Sequence, residues 1–172
     1  MVTISLPGTL PSLAYYDCRY AVLREPLGFE RGAEILHDDV KAIHAWVERD
    51  NKVVAVGRVH LIPDDVDGSG VDHAGPEAAK IPGFKPLSDS GNRPAVQIRQ
   101  MGTLKDFRRK GLAAAVLSAL ENAAKSHLSA KIGLLQARKH AIAFYQSQGW
   151  KIIDEPYDIF GIGPHRSMMK LL

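Results

Sequence analysis

A single cysteine, Cys18, stands in 172 residues. No intrachain disulfide framework is available, and a reducing, cytoplasmic compartment is the expectation. Long apolar runs are also missing: none approaches the roughly 20 residues that span a bilayer, so no membrane partner is expected. Met1 to Pro7 offer neither the cationic n-region nor the apolar h-region of a secretory signal. Excess charge is small. Lys and Arg number 22 against 19 Asp and Glu, a net of +3, which suits an anionic ligand without calling for nucleic acid. The commonest phosphate loops are absent. There is no Gly-x-x-x-x-Gly-Lys-Ser/Thr and no Gly-x-Gly-x-x-Gly, which sets aside P-loop and Rossmann turns. The cluster Asp64, Asp65, Asp67, Gly68 misses calcium-loop spacing, and no Glu follows six residues after Gly68, so no metal is expected. Internal repeats are absent as well.

What is present suffices for one sizeable core, read as a single domain over residues 1–172. Hydrophobic residues make up 45% and charged residues 24%, as in an ordinary globular chain. The chain turns on its middle. Ala95 to Leu104 alternates in part between apolar and polar and predicts a strand. Ala113 to Leu128 is rich in Ala and Leu and predicts a helix. Between them lie Arg108, Arg109, Lys110 and Gly111. A strand, a glycine turn and a helix N-terminus make an anion site, because first-turn amides lack intrahelical partners and the helix dipole adds positive potential there.

The run Arg108-Arg109-Lys110-Gly111-Leu112-Ala113 resembles the Arg/Gln-x-x-Gly-x-Gly/Ala signature of the GNAT superfamily of acyl-CoA-dependent N-acyltransferases. A second block, Arg138-Lys139-His140-Ala141-Ile142-Ala143-Phe144-Tyr145-Gln146-Ser147-Gln148-Gly149-Trp150, is similar to that family's Asn-x-x-Ala-x-x-Phe-Tyr-x-x-x-Gly-Phe/Tyr segment. Ala143 is read at its small position and His140 where the family often has Asn, with Gly149 as a helix C′ glycine. The two blocks cover about the last 75 residues; upstream only the general layout agrees.

The resemblance implies a GNAT-like α/β fold: a mixed, mostly antiparallel central sheet with a splayed parallel strand pair, flanked by helices. It implies acetyl-CoA as donor, no metal, and an amine acceptor of the small-molecule, amino-acid or peptide kind. Met101, Gly102 and Thr103 would offer backbone groups to the pantetheine arm. Arg108, Arg109, Lys110, Gly111, Leu112 and Ala113 would hold the pyrophosphate, with His140 and Tyr145 completing the cofactor set. Tyr145 is the expected general acid, a phenol of pKa about 10 and so protonated at neutral pH. No carboxylate stands on the central strand, which has Gln97 and Arg99. Among bases, His165 and His60 remain by residue type, and His165 is favoured in a turn before the last strand. The resemblance leaves room for a homodimer through sheet edges.

Upstream, Ser12 predicts a helix cap and residues to about Arg24 a helix, with Leu13, Tyr16, Tyr20 and Leu23 as its packed face. Asp17, Cys18 and Arg24 are candidates for the acceptor wall or ordinary helix residues. A hairpin is expected over 42–49 and 52–62 with Asp50-Asn51 as its turn, Gly57 marking a bulge or a close approach. Residues 63–94 read as a surface excursion, Lys151 to Asp154 as a strand, Glu155 to Asp158 as a turn and Arg166 to Leu171 as the last strand. Two other readings stay open: a GNAT-like domain that binds acyl-CoA without transfer, and a nucleic-acid module on Lys105 to Lys110. The latter lacks interleaved aromatics.

Overall fold

The computed structural model describes residues 1–172. Its centre is an eight-stranded sheet. Strands β1 (Val2–Ser5), β2 (Ile43–Arg49), β3 (Lys52–Ile62) and β6 (Ala95–Thr103) lie side by side in that order, each antiparallel to the one before. Two short strands, β4 (Gly70–Val71) and β5 (Lys80–Ile81), pair only with each other. Next to β6 comes β7 (Ile132–Arg138), the one parallel neighbour. Beyond β7 lie β10 (Gly163–Leu171), then β8 (Lys151–Ile152) and β9 (Tyr157–Ile159), both paired with β10.

The β6–β7 pairing is short. It joins Ala95, Val96 and Gln97 to Ile132, Gly133 and Leu134 and then stops, although both strands continue. The strands therefore fork, leaving β6 from Ile98 onward with no paired strand on that side. This is the mixed, splayed sheet expected of the chain.

Helices cover both faces. Alternating residues of β2 show why: Ile43, Ala45 and Val47 enter the main core, whereas Trp46 enters a second cluster. Helix α2 (Leu112–Leu128) packs Val116, Leu117, Leu120 and Ala124 into the first, where Tyr145 of helix α3 (Ile142–Ser147) and Trp150 join it. Helix α1 (Leu13–Leu23) supplies Tyr15, Tyr16 and Cys18 to the second.

The packed face of α1 differs from the one its apolar spacing predicts. Leu13 is 81% exposed, while Tyr15, Tyr16, Cys18 and Arg19 are buried. The reason is polar. Arg19 turns inward to Asp39 at 2.9 Å and to the Tyr15 hydroxyl at 3.0 Å. Arg58 reaches the other oxygen of Asp39 at 2.8 Å and Asp38 at 2.7 Å. His44 Nε2 donates to the Asp39 carbonyl at 2.8 Å. A closed ionic knot thus sits beneath α1, and it overrides the hydrophobic pattern.

The hairpin turn behaves as expected, with Asp50 and Asn51 both at positive φ. The bulge lies opposite Gly57 rather than on it. Val56 pairs with Gly102 and Arg58 with Arg99, so Gln100 and Met101 face the single residue Gly57. Gln100 adopts φ 57°. Gly57 is nonetheless required for close approach: a Cβ there would lie 2.3 Å from Met101 Sδ and 3.0 Å from Val116 and Leu120 of α2.

The 63–94 excursion carries β4 and β5 and is tied at its neck. Arg93 donates to the carbonyls of Pro63 at 2.8 Å and Val66 at 2.7 Å. Buried Phe84 and Leu87 anchor it to Ile62 and Ile132. Two boundaries move at the C-terminal end. Tyr157 and Asp158 belong to a strand, not a turn, and His165 lies within β10, not ahead of it. Both shifts follow from β10 extending back to Gly163, which gives β9 a partner.

Candidate functional site

Where β6 and β7 part, the structure opens a cavity of about 800 Å³. One wall is the glycine loop. Gly111 caps α2 at φ 74°, and Arg109 is also at positive φ, 63°. The first amide to return into the helix is that of Ala115, to the Gly111 carbonyl at 3.0 Å. The amides just before it lie in the first turn, where no intrahelical acceptor exists. A Cβ on Gly111 would meet nothing within 4 Å, so that side of the loop is open. Arg108 folds back, its Nε donating to the Thr103 carbonyl at 3.1 Å.

Free helix amides, an open loop and unpaired strand edge at Met101 to Thr103 suit a diphosphate joined to an amide-bearing arm. Met101, Gly102, Thr103, Arg108, Arg109, Gly111, Leu112 and Ala113 all line the cavity. Lys110 does not. Its side chain is exposed, and the ammonium sits over the Phe107 ring at 5.1 Å from the centroid, a contact that holds it away from the cavity.

The second block supplies the facing wall. His140, Ala141, Phe144 and Tyr145 line it, and Ala143 does not. Counting back from Phe144 in Asn-x-x-Ala-x-x-Phe-Tyr, the small position is Ala141 and the Asn position is Arg138. Both lie two residues before Ala143 and His140, and Arg138 and Ala141 line the cavity where the count from Phe144 puts them. Tyr145 is 8% exposed. Burial raises its pKa above the ordinary phenol value, against the pull of Arg138.

His165 enters from β10, opposite Arg138 in the strand register, and is 4% exposed. Its Nδ1 donates to the Gly163 carbonyl at 2.7 Å. That bond fixes the tautomer and leaves the Nε2 lone pair free. Burial lowers the His165 pKa, partly opposed by the bond to Gly163. His60, the other imidazole considered, is held down to about 3 by burial and by Arg58, and it does not line the cavity.

Of the α1 candidates, only Arg24 reaches the cavity. Cys18 packs with Trp46 and Val53, and burial pushes its thiol up to about 12. Asp17 pairs with Arg31 at the exposed surface. Arg24 donates to Asp72 Oδ2 at 3.1 Å, to the Asp72 carbonyl at 3.0 Å and to Gln100 Oε1 at 2.8 Å. Arg99 also donates to the Asp72 carbonyl, at 3.2 Å. Asp72 is the one carboxylate among the lining residues. Burial would raise its pKa, but neighbouring His73, Arg24 and Arg99 hold it well below the carboxylate range. Asp72 lies in the excursion, where no periodicity marks it. Gln100 reaches the site only through the bulge.

The model of the Acetyltransferase (GNAT) family matches residues 13–150. A curated relative, the "Uncharacterized N-acetyltransferase YitI" of Bacillus subtilis (strain 168), is 34% identical over 82 residues. That stretch covers 45% of this chain and 52% of the relative, so the chain spans about half the length of the curated relative it matches. In three dimensions the chain is similar to Escherichia coli ElaA, at a TM-score of 0.71 and 20% identity over 99% of both chains. It is also similar to a GNAT family acetyltransferase from Elizabethkingia anophelis with acetyl-CoA bound. There the TM-score is 0.58 and the identity 15%, over 99% of this chain and 98% of the other. These structures share the fold, and the family match extends over most of the chain, including the fork and both of its walls: the protein belongs to the GNAT family of acetyltransferases.

Proposed function

We propose that this chain, acting as one domain over residues 1–172, moves an acetyl group from acetyl-CoA to a primary amine by direct attack. The observation that supports it is the convergence on one cavity of free helix amides, a buried phenol and an imidazole with a free Nε2. A reducing, cytoplasmic setting suits a buried free thiol such as Cys18.

Acetyl-CoA supplies the reactive thioester. Gly111 to Ala114 and the edge of Met101 to Thr103 would hold its diphosphate and amide arm. His165 Nε2 takes the proton that the amine must lose as its nitrogen bonds the acetyl carbon. Tyr145 gives its proton to the sulfur as the C–S bond breaks, so one proton enters the protein and one leaves. Arg138 lies close enough to Tyr145 to bear on its titration, and so favours the phenolate that transient proton loss leaves. The low pKa of His165 keeps it neutral, and able to accept, below the ordinary imidazole midpoint near 6.5.

Thermal unfolding with acetyl-CoA, against ADP as a control, tests the donor. A ligand at about 100 times its dissociation constant adds roughly 2.7 kcal/mol, a rise on the order of 5–10 °C for a chain of this size. No rise at millimolar acetyl-CoA removes the reading. Tyr145→Phe tests the acid: turnover falls by about 100-fold or more with acetyl-CoA binding retained, and unchanged turnover assigns the proton elsewhere.

A further inference from the structure

This inference rests on the acetyl-transfer reading and concerns the amine. Five residues from five elements meet at one part of the cavity: Arg24 at the end of α1, Asp72 in the excursion, Arg99 on β6, Arg138 on β7 and His165 on β10. Asp72, Arg138 and His165 lie within each other's electrostatic reach. The charges do not balance. Three guanidiniums share one lining carboxylate, Arg99 alone having a second in reach, Asp38, while burial keeps His165 neutral. Arg24 spends its donors on Asp72 and Gln100, and Arg99 bonds the carbonyls of Val71 and Asp72.

Arg138 has no such partner. It forms neither a salt bridge nor a hydrogen bond within the chain, and Asp72, the nearest opposing charge, is already engaged by Arg24. A half-buried guanidinium without a partner is unfavourable in the free protein, and burial accordingly lowers its pKa. Its planar fork matches a carboxylate's two oxygens and single negative charge. It is also opposite His165 in the strand register, beside the Nε2 that receives the amine proton.

We infer that the acceptor is an amine that also carries a carboxylate, and that Arg138 holds that carboxylate while the amine faces His165. A cationic surround has a second effect, since it favours the neutral, attacking form of the amine over its ammonium form.

Initial rates with acetyl-CoA on matched pairs, α-amino acids and their primary amides, test this. The acid is preferred in kcat/KM by about 10- to 100-fold, the worth of a charge-assisted pair. In Arg138→Gln that ratio falls toward one, and Arg138→Lys restores part of it. Calorimetry reads the same contrast without turnover: in the presence of CoA, an N-acetyl amino acid binds the wild type more tightly than its amide, and Arg138→Gln binds both alike. Retention of this binding contrast where no pair is turned over supports the carboxylate site and removes the transferase reading. Equal use and equal binding of acid and amide by the wild type overturns the inference. So does a loss of CoA affinity in Arg138→Gln with the acid-to-amide ratio unchanged. A wild-type preference for succinyl-CoA over acetyl-CoA that Arg138→Gln abolishes would place the carboxylate on the donor and overturn it equally.

Discussion

Two ionic groups lie on either side of one pair of residues, Arg58 and Arg99, which are cross-strand partners on β3 and β6. Beneath α1, Arg19 and Arg58 meet Asp38 and Asp39, two cations with two anions, each guanidinium bonded to a carboxylate at 2.7 to 2.9 Å. In the cavity, Arg24, Arg99 and Arg138 share Asp72 as the one lining carboxylate, with Arg99 also in reach of Asp38 behind it. Composition is nearly the same in the two groups; stoichiometry is not. A buried charge that is paired and hydrogen-bonded holds elements together, whereas a surplus charge beside open space is favourable only when a ligand completes it. Charge balance, more than burial, separates a structural arginine from a binding one.

The sharpest way to break that distinction is to remove one partner from each group. Asp39→Ala leaves the fully buried Arg19 without its carboxylate and Arg58 with Asp38 alone, and a loss of about 3–5 kcal/mol is expected, or roughly 10 °C in Tm for a chain of this length. A shift under 2 °C by calorimetry would show that the knot is not structural.

Acid should act on the same group next. His44 is held down to about 4, chiefly by burial, and in the unfolded chain it titrates near 6.5. The folded state keeps it neutral where the unfolded state takes a proton, so its contribution is full above about 6.5 and is lost as pH falls toward 4. Asp38 and Asp39 are lowered by Arg58 and Arg19 against the effect of burial, so their contribution is present above about 4 and is lost as pH falls below it. Unfolding free energies from urea titrations between pH 7 and 4 should fall by a total of about 2–3 kcal/mol, and a flat profile would contradict the assignment.

Gly57→Ala probes the seam between the groups. The new methyl meets Met101 Sδ at 2.3 Å and two side chains of α2, which predicts about 1–3 kcal/mol of destabilisation. Weaker acetyl-CoA binding should accompany it, because Met101 lines the cavity. The smallest effect belongs to Arg138→Gln. With no partner to strand, it should change stability by less than about 0.5 kcal/mol, as surface-like substitutions do. A loss comparable to that of Asp39→Ala would put Arg138 among the structural arginines.

Local signals in the chain were easy to read. The glycine loop, the Ala-rich helix and Gly149 each carry their information within a few residues, and strand boundaries fell close to the alternation that predicts them. The hairpin turn was equally plain, since Asp-Asn tolerates left-handed backbone. What depends on distant partners was not legible. Leu13 looked like a packed residue because nothing near it reveals that Arg19 turns inward to Asp39, twenty residues on. Asp72 joins the cavity through Arg24, 48 residues away, and Gln100 through a one-residue bulge that no pattern in β6 announces. Arg138 stood inside a recognised block, yet its place depended on counting from the right aromatic.

Arg93 closes the neck of the excursion that carries Asp72, bonding both the segment's first carbonyls and Leu87 near its end. A loop clamped in this way behaves as an exchangeable part. Doubling its length adds only about 0.6 kcal/mol of closure entropy, while the fork between β6 and β7 and the glycine loop lie outside it in the chain. Divergence can therefore rebuild the segment that brings Asp72 to the cavity, along with whatever that corner recognises, and leave both walls as they were.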